Sequence, residues 1–230
     1  MICYNNYMKF GIEIFIIEII GIIAFTISGV IVAFKKRLDL LGVVTLGTIT
    51  AVGGGALRDI LLGILPPSMF KNGIYVLCAF ITAIASFYIG ILAIKKIKRR
   101  QVRYHNLITF FDAVGLGVFT VVGTNTAIVN GFGDNIFLTI FVGVITGVGG
   151  GVIRDIIANT TPFIMYKDLY ASSAIIGASL YYLLFQLHSN YFLCLSISIV
   201  ATIFVRLIAQ KYNLGLPKFG VHKDKEDKLL

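Results

Sequence analysis

Seven apolar stretches take up most of the chain: residues 11–34, 40–63, 73–94, 106–128, 136–159, 169–187 and 190–209. Each is close to the ~20 apolar residues that carry a helix across a bilayer. Inside hydrocarbon, every backbone amide and carbonyl must be satisfied within the protein, so runs of this length read as helices. The chain is therefore predicted to be an all-α integral membrane protein with seven transmembrane helices. Charges or turn formers divide the runs: Lys35-Lys36-Arg37, Pro66-Pro67, the basic cluster from Lys95 to Arg103, then Gly131, Gly133 and Asp134, then Pro162. Only His188-Ser189-Asn190 separates the sixth run from the seventh, but one helix spanning both is about twice the length a bilayer needs. The first run is too long for a signal peptide, holds Glu13 and Glu18, and is followed by no small-residue cleavage site. It is read as the first span.

The charges agree. Only 13% of the 230 residues are charged and 57% are hydrophobic, against about 25% charged in an ordinary soluble domain. This excludes a disordered chain, a nucleic-acid-binding domain and most soluble enzymes. The net charge of +9 follows topology. Fifteen of the twenty Lys and Arg lie after runs 1, 3 and 5 or in the tail, and only Lys9 and Lys71 lie in the alternate segments. Positive residues stay in the cytoplasm, so the N-terminus is predicted outside and the C-terminus inside. Beyond topology, binding to the anionic headgroups of membrane lipid is the most this basic excess need mean. Residues 1–210 are read as one membrane domain and 211–230 as a charged cytoplasmic tail. Tyrosines near span ends, among them Tyr7, Tyr75, Tyr104, Tyr166, Tyr170, Tyr191 and Tyr212, are assigned to the interfacial belt. Cys3, Cys78 and Cys194 are isolated and form neither a metal motif nor a disulfide framework.

The chain also repeats itself. Gly53-Gly54-Gly55-Ala56-Leu57-Arg58-Asp59-Ile60 recurs 96 residues later as Gly149-Gly150-Gly151-Val152-Ile153-Arg154-Asp155-Ile156. Matches continue through Gly47/Gly143, Thr50/Thr146, Pro66/Pro162 and Lys71/Lys167. A second block aligns at an offset of 94, with Glu18, Gly21, Phe25-Thr26 and Gly29 answering to Asp112, Gly115, Phe119-Thr120 and Gly123. Asp39 and Asp134 fall between the blocks at 95. Repeat 1 is thus about 11–94, repeat 2 about 106–187, and the seventh helix, about 190–209, is extra. Three spans is an odd number, so the second copy enters the membrane from the opposite face. Such inverted repeats place a permeation or substrate site near the midplane, marked by corresponding Gly-interrupted segments in the two halves.

The duplicated segments carry the chemistry. Each glycine weakens a helix by about 1 kcal/mol relative to Ala. Three in a row are consistent with a break that lines a wet cavity, or with helices packed backbone to backbone. Arg58, Asp59, Arg154 and Asp155 lie about a turn beyond the glycines, where a charge needs a partner or water. Cross-repeat pairs, Arg58 with Asp155 and Arg154 with Asp59, are expected, either at a site of function or as a structural staple. Glu18 and Asp112 are further intramembrane acids. They could draw in a cation or relay a proton, or reach the headgroups, or partner Arg58 and Arg154. Glu13 is placed nearer the surface. Thr26, Ser28, Thr120, Thr124 and Asn125 could line a polar path or bond within the helices. Arg206 is read as an anchor that snorkels to the interface. No nucleotide-binding loop, T-V-G-Y-G filter, H-E-x-x-H or G-x-S-x-G motif is present, and no cofactor is indicated.

The two G-G-G-x-x-R-D copies, each on the second helix of a three-helix repeat with a seventh helix following, resemble the prokaryotic trimeric intracellular cation (TRIC) channel family. The same group also carries a glycine-transporter-type label. The resemblance implies a homotrimer with an hourglass pore inside each protomer that conducts monovalent cations, chiefly potassium. It places Gly53, Gly54, Gly55, Arg58, Asp59, Gly149, Gly150, Gly151, Arg154 and Asp155 at a pore lined by bent second and fifth helices. Animal relatives carry a lysine- and glutamate-containing motif there and bind phosphoinositide, and this chain departs from them in lacking it. The leading reading is a passive potassium-permeable channel of a bacterial or archaeal plasma membrane, with Glu18 and Asp112 favouring cations such as potassium or sodium. A secondary transporter of a small amino acid such as glycine is the alternative, and a membrane scaffold is a third reading.

Overall fold

The computed structural model describes residues 2–96, 101–166, 169–187 and 190–212. Lys167, His188-Ser189 and the tail beyond Tyr212 lie outside the described residues. So do the side chains of Cys3, Tyr7, Lys9, the basic cluster at 95–103, Tyr104, His105 and Tyr166. Among the described residues all regular structure is helical: α1 (Ile2–Lys35), α2 (Leu40–Leu61), the short α3 (Ser68–Lys71), α4 (Ile74–Lys96), α5 (Gln101–Ala127), α6 (Ile136–Ile157), the short α7 (Phe163–Tyr166), α8 (Tyr170–Gln186) and α9 (Tyr191–Lys211). A π-helical turn over Ile128–Phe132 prolongs α5 and closes on Gly131, whose φ of 90° suits glycine.

Among the described residues, six helices are long and apolar enough to cross a membrane: Gly11–Lys35, Leu40–Leu61, Ile74–Leu92, Asn106–Phe132, Ile136–Ile157 and Tyr191–Lys211. The sixth predicted run becomes α8, which at 17 residues is shorter than any of these. The helices begin where their caps allow. Asp39 Oδ1 accepts from Gly42 N at 2.8 Å to start α2, and Asn135 Oδ1 accepts from Leu138 N at 3.0 Å to start α6. The functional counterpart of Asp39 is thus Asn135, not Asp134, because either short polar side chain satisfies the free amides of a first turn. The cap therefore shares the 96-residue offset of the glycine block. Asn190 caps α9 in the same way, accepting from Phe192 N at 3.0 Å.

The core is built on two crossings. Where α1 meets α5, the rings of Phe25 and Phe119 stack with centroids 5.3 Å apart. Gly115 makes room for Phe25, and Gly21 for Phe119 and Val118. Where α2 meets α6, a Cβ at Gly54 would collide with the carbonyl oxygen of Thr146, and one at Gly150 with that of Thr50. A Cβ at Gly53 would lie 2.9 Å from Ile153 Cδ1, and one at Gly149 2.8 Å from Leu57 Cδ1. Rising numbers on one helix oppose falling numbers on the other, so the crossing is antiparallel. Both helices run through their glycines without a break. The expected interruption is absent, and the glycines serve backbone-to-backbone approach, as small residues do between membrane helices.

Outside these crossings the halves differ. The extra helix α9 packs on α5 and α8. No described helix covers α1 and α4 in the corresponding way, and Ile12, Ile16 and Ile20 of α1 are exposed.

Candidate functional site

The two R-D dipeptides build two matching charge clusters. In the first, Arg58 Nε donates to Asp59 Oδ1 at 2.8 Å, and Arg58 Nη1 reaches Glu18 Oε1 at 3.3 Å. Tyr75 OH donates to the other Glu18 oxygen at 2.6 Å, and Ser68 N donates to Asp59 Oδ2 at 2.6 Å. In the second, Arg154 Nε donates to Asp155 Oδ1 at 2.8 Å and Arg154 Nη1 to Asp112 Oδ1 at 2.7 Å. Arg154 Nη1 also donates to Ser28 Oγ at 2.6 Å, and Phe163 N donates to Asp155 Oδ2 at 3.0 Å. Each aspartate thus looks two ways. One oxygen holds the neighbouring arginine and the other pins the first turn of the short helix that follows, α3 or α7.

The expected cross-repeat pairs do not form. Arg58 does not bond Asp155, nor Arg154 Asp59. The antiparallel crossing explains this: the helices touch at Gly54 and Gly150, so the two motifs' charges leave it on opposite sides. Arg58 and Arg154 are each four residues past that contact, which separates them by about 12 Å along the axes. Each arginine finds its acid within its own repeat, on the first helix of the three. Glu18 and Asp112 are those partners. The neighbours Arg58 and Asp59 also pair, although a helix sets them about 100° apart, because the long guanidinium arm folds back.

The clusters differ in exposure. Arg154 and Asp112 side chains are 0% exposed, whereas Glu18 is 14% and Arg58 6% exposed. The first cluster opens into a small, half-open recess that reaches from Glu18, Arg58 and Tyr75 past Gly55 to Phe119. A Cβ at Gly55 would meet nothing within 4 Å, but one at Gly151 would lie 2.8 Å from Tyr170 OH and 3.5 Å from Asp112 Oδ1. The second cluster is thus filled where the first is hollow.

Several residues have other places than the sequence reading gave them. Tyr75 and Tyr170 sit inside the clusters rather than in an interfacial belt. Their numbers differ by 95, between the two block offsets, and that spacing was the available signal. Arg206 does not snorkel: it is 2% exposed, and its guanidinium lies over the Tyr170 ring, 4.7 Å from the centroid. Ser28 and Ser68, which bind Arg154 and Asp59, carry no signal beyond being polar in or beside an apolar run. Thr26, Ser28, Thr120, Thr124 and Asn125 are all buried. Thr124 Oγ1 donates to Thr120 O at 2.9 Å and Asn125 Oδ1 accepts from Tyr181 OH at 2.7 Å, so these two bond within the helix bundle. Glu13 is half-buried. Among the described residues, no group of three or more His, Cys, Asp and Glu could hold a metal ion.

This arrangement has known relatives. The model of a family described as glycine transporter matches residues 15–90 and 109–186, the two halves that carry the clusters. The chain belongs to this family. A UPF0126 membrane protein of Deinococcus radiodurans is 36% identical over 203 residues, covering 87% of this chain and 89% of that protein. The fold is that of solved members: a prokaryotic TRIC channel superposes with a TM-score of 0.79 at 36% identity, over 89% of this chain and 99% of the other. The TRIC trimeric intracellular cation channel orthologue from Rhodobacter sphaeroides gives 0.79 at 30% identity, over 88% and 99%. With six membrane-length helices and these relatives, this family member is a multi-pass membrane protein.

Proposed function

We propose that the chain is a passive, potassium-permeable cation channel with an ion path inside each protomer. The observation that carries this reading is the recess at the first cluster. Two carboxylates, Glu18 and Asp59, face one guanidinium, Arg58, so the opening has a formal charge of −1 and favours cations. Solved proteins it superposes on are described as TRIC cation channels, which supports the same reading. The path leads from that recess to the contact of α2 and α6. There Gly53, Gly54, Gly55, Gly149, Gly150 and Gly151 form the constriction, with Arg58, Asp59, Glu18 on one side and Arg154, Asp155, Asp112 on the other. In this account α8 is the sixth of seven spans and the halves are inverted repeats of three. The N-terminus is outside a bacterial or archaeal plasma membrane and the C-terminus in the cytoplasm. Three copies assemble, and lipid surrounds them.

One observation favours a second reading, a transporter of a small amino acid. Arg58 and Glu18 present opposite charges to one recess, as a zwitterion such as glycine requires. Liposomes holding the purified protein separate the two. With an outward potassium gradient, the channel gives a potassium-dependent membrane potential and no uptake of labelled glycine. Saturable glycine uptake without potassium conductance contradicts the channel and turns the recess into a substrate site.

A further inference from the structure

We propose that Arg206 is a tethered cation: it neutralises the second charge cluster and raises the barrier to ions at that end of the path, in the place where the first half leaves room for a mobile cation. This rests on the channel reading.

The comparison of the halves carries it. Each cluster has the same core, one arginine between two acids, with a formal charge of −1: Arg58 with Glu18 and Asp59, Arg154 with Asp112 and Asp155. Each has a tyrosine at the corresponding position. Tyr75 is half-buried and borders the recess. Tyr170 is fully buried, and its hydroxyl lies at Gly151 beside Asp112. What covers the Tyr170 ring is the Arg206 guanidinium, brought by α9. Among the described residues the first half has no counterpart of α9, and there the space by Gly55 is open.

Arg206 is an unusual arginine. It is almost wholly buried, yet it belongs to none of the four ion pairs among the described residues. Its Nε and Nη2 have no hydrogen-bond partner there. A guanidinium so placed is costly unless the surrounding charge is negative and an aromatic face receives it. The second cluster meets both conditions. Its unspent negative charge and the Tyr170 ring hold the arginine, and with it the cluster becomes neutral. A permeating cation then meets neither a net attraction nor an open space at this end.

Potassium flux and thermal unfolding of the purified protein, in liposomes and in detergent, test this with R206Q, R206K and R206Q/D112N. R206Q is expected to raise potassium flux about tenfold, the effect of lowering a barrier by about 1.4 kcal/mol. R206K keeps the charge and is expected to leave flux near that of the native chain. R206Q is also expected to lower the Tm by several degrees, and D112N added to it to recover most of the loss, because the double variant restores a neutral cluster. Should R206Q fail to fold, the double variant is still expected to fold. Folded R206Q with native flux overturns the barrier role, and a double variant no more stable than R206Q overturns the charge compensation. Absence of flux in every variant, the native chain included, overturns the channel reading instead.

Discussion

The two halves of this protein share a charge motif and use it differently. In the second half Asp112, Arg154 and Asp155 are sealed, with Ser28 donated to and Phe163 lying 5.1 Å from the Arg154 guanidinium. In the first half Glu18, Arg58 and Asp59 border a recess. The local chemistry differs by one methylene, Glu for Asp, and the acid–arginine distance opens from 2.7 to 3.3 Å. What differs more is the neighbourhood: α9 covers the second half and no described helix covers the first. Duplication supplies two equivalent clusters, and one unpaired helix buries one of them and leaves the other beside an open recess.

The largest expected effect lies in the sealed half. Asp112→Asn leaves two buried arginines, Arg154 and Arg206, with one acid, Asp155, between them, and an uncompensated buried charge costs about 3–5 kcal/mol. Little folded protein is expected, measured by size-exclusion yield and thermal unfolding. The glycines come next. Gly54→Ala and Gly150→Ala each press a methyl onto a carbonyl of the other helix and are expected to cost about 1–3 kcal/mol. Gly55→Ala enters open space and is expected to leave the Tm nearly unchanged, whereas Gly151→Ala, against Tyr170 OH, is expected to lower it. Equal effects at Gly55 and Gly151 would break the comparison. Tyr75→Phe removes a bond to a carboxylate and is expected to cost about 1.5 kcal/mol, with a change in flux that Tyr182→Phe, outside both clusters, does not produce. The smallest effect belongs to the caps. Asp39→Ala and Asn135→Ala are expected to cost about 1 kcal/mol each, and alike, since the caps are equivalent.

Much of the fold can be read from the sequence, because it rests on periodic and local signals. The apolar runs give the helices to within a few residues at most ends, the repeated G-G-G-x-x-R-D gives their pairing into halves, and Asp39 marks the start of α2. What cannot be read is the direction of one helix surface against another. Three glycines are compatible with a break or with close contact, and only the facing carbonyls of Thr146 and Thr50 decide for contact. The partners of Arg58 and Arg154 depend on which side of an antiparallel crossing each charge falls, a distance of a few residues that no spacing rule fixes. Glu18 and Asp112 stood out as intramembrane acids, but their role as arginine partners was one of several open. Tyr75, Tyr170 and Arg206 look like interfacial residues because they stand near span ends. Their burial comes from long-range packing by α4, α8 and α9.

The central claim is that the cluster bordering the recess attracts the ion while its sealed twin holds the fold. Potassium flux through liposomes, measured for E18Q beside D112N with each preparation checked for folded protein, tests it most directly. The account predicts that E18Q folds and conducts about tenfold less, a loss equivalent to about 1.4 kcal/mol at the barrier, while D112N fails to fold. A folded D112N with lost conductance, beside an E18Q that conducts like the native chain, would contradict it.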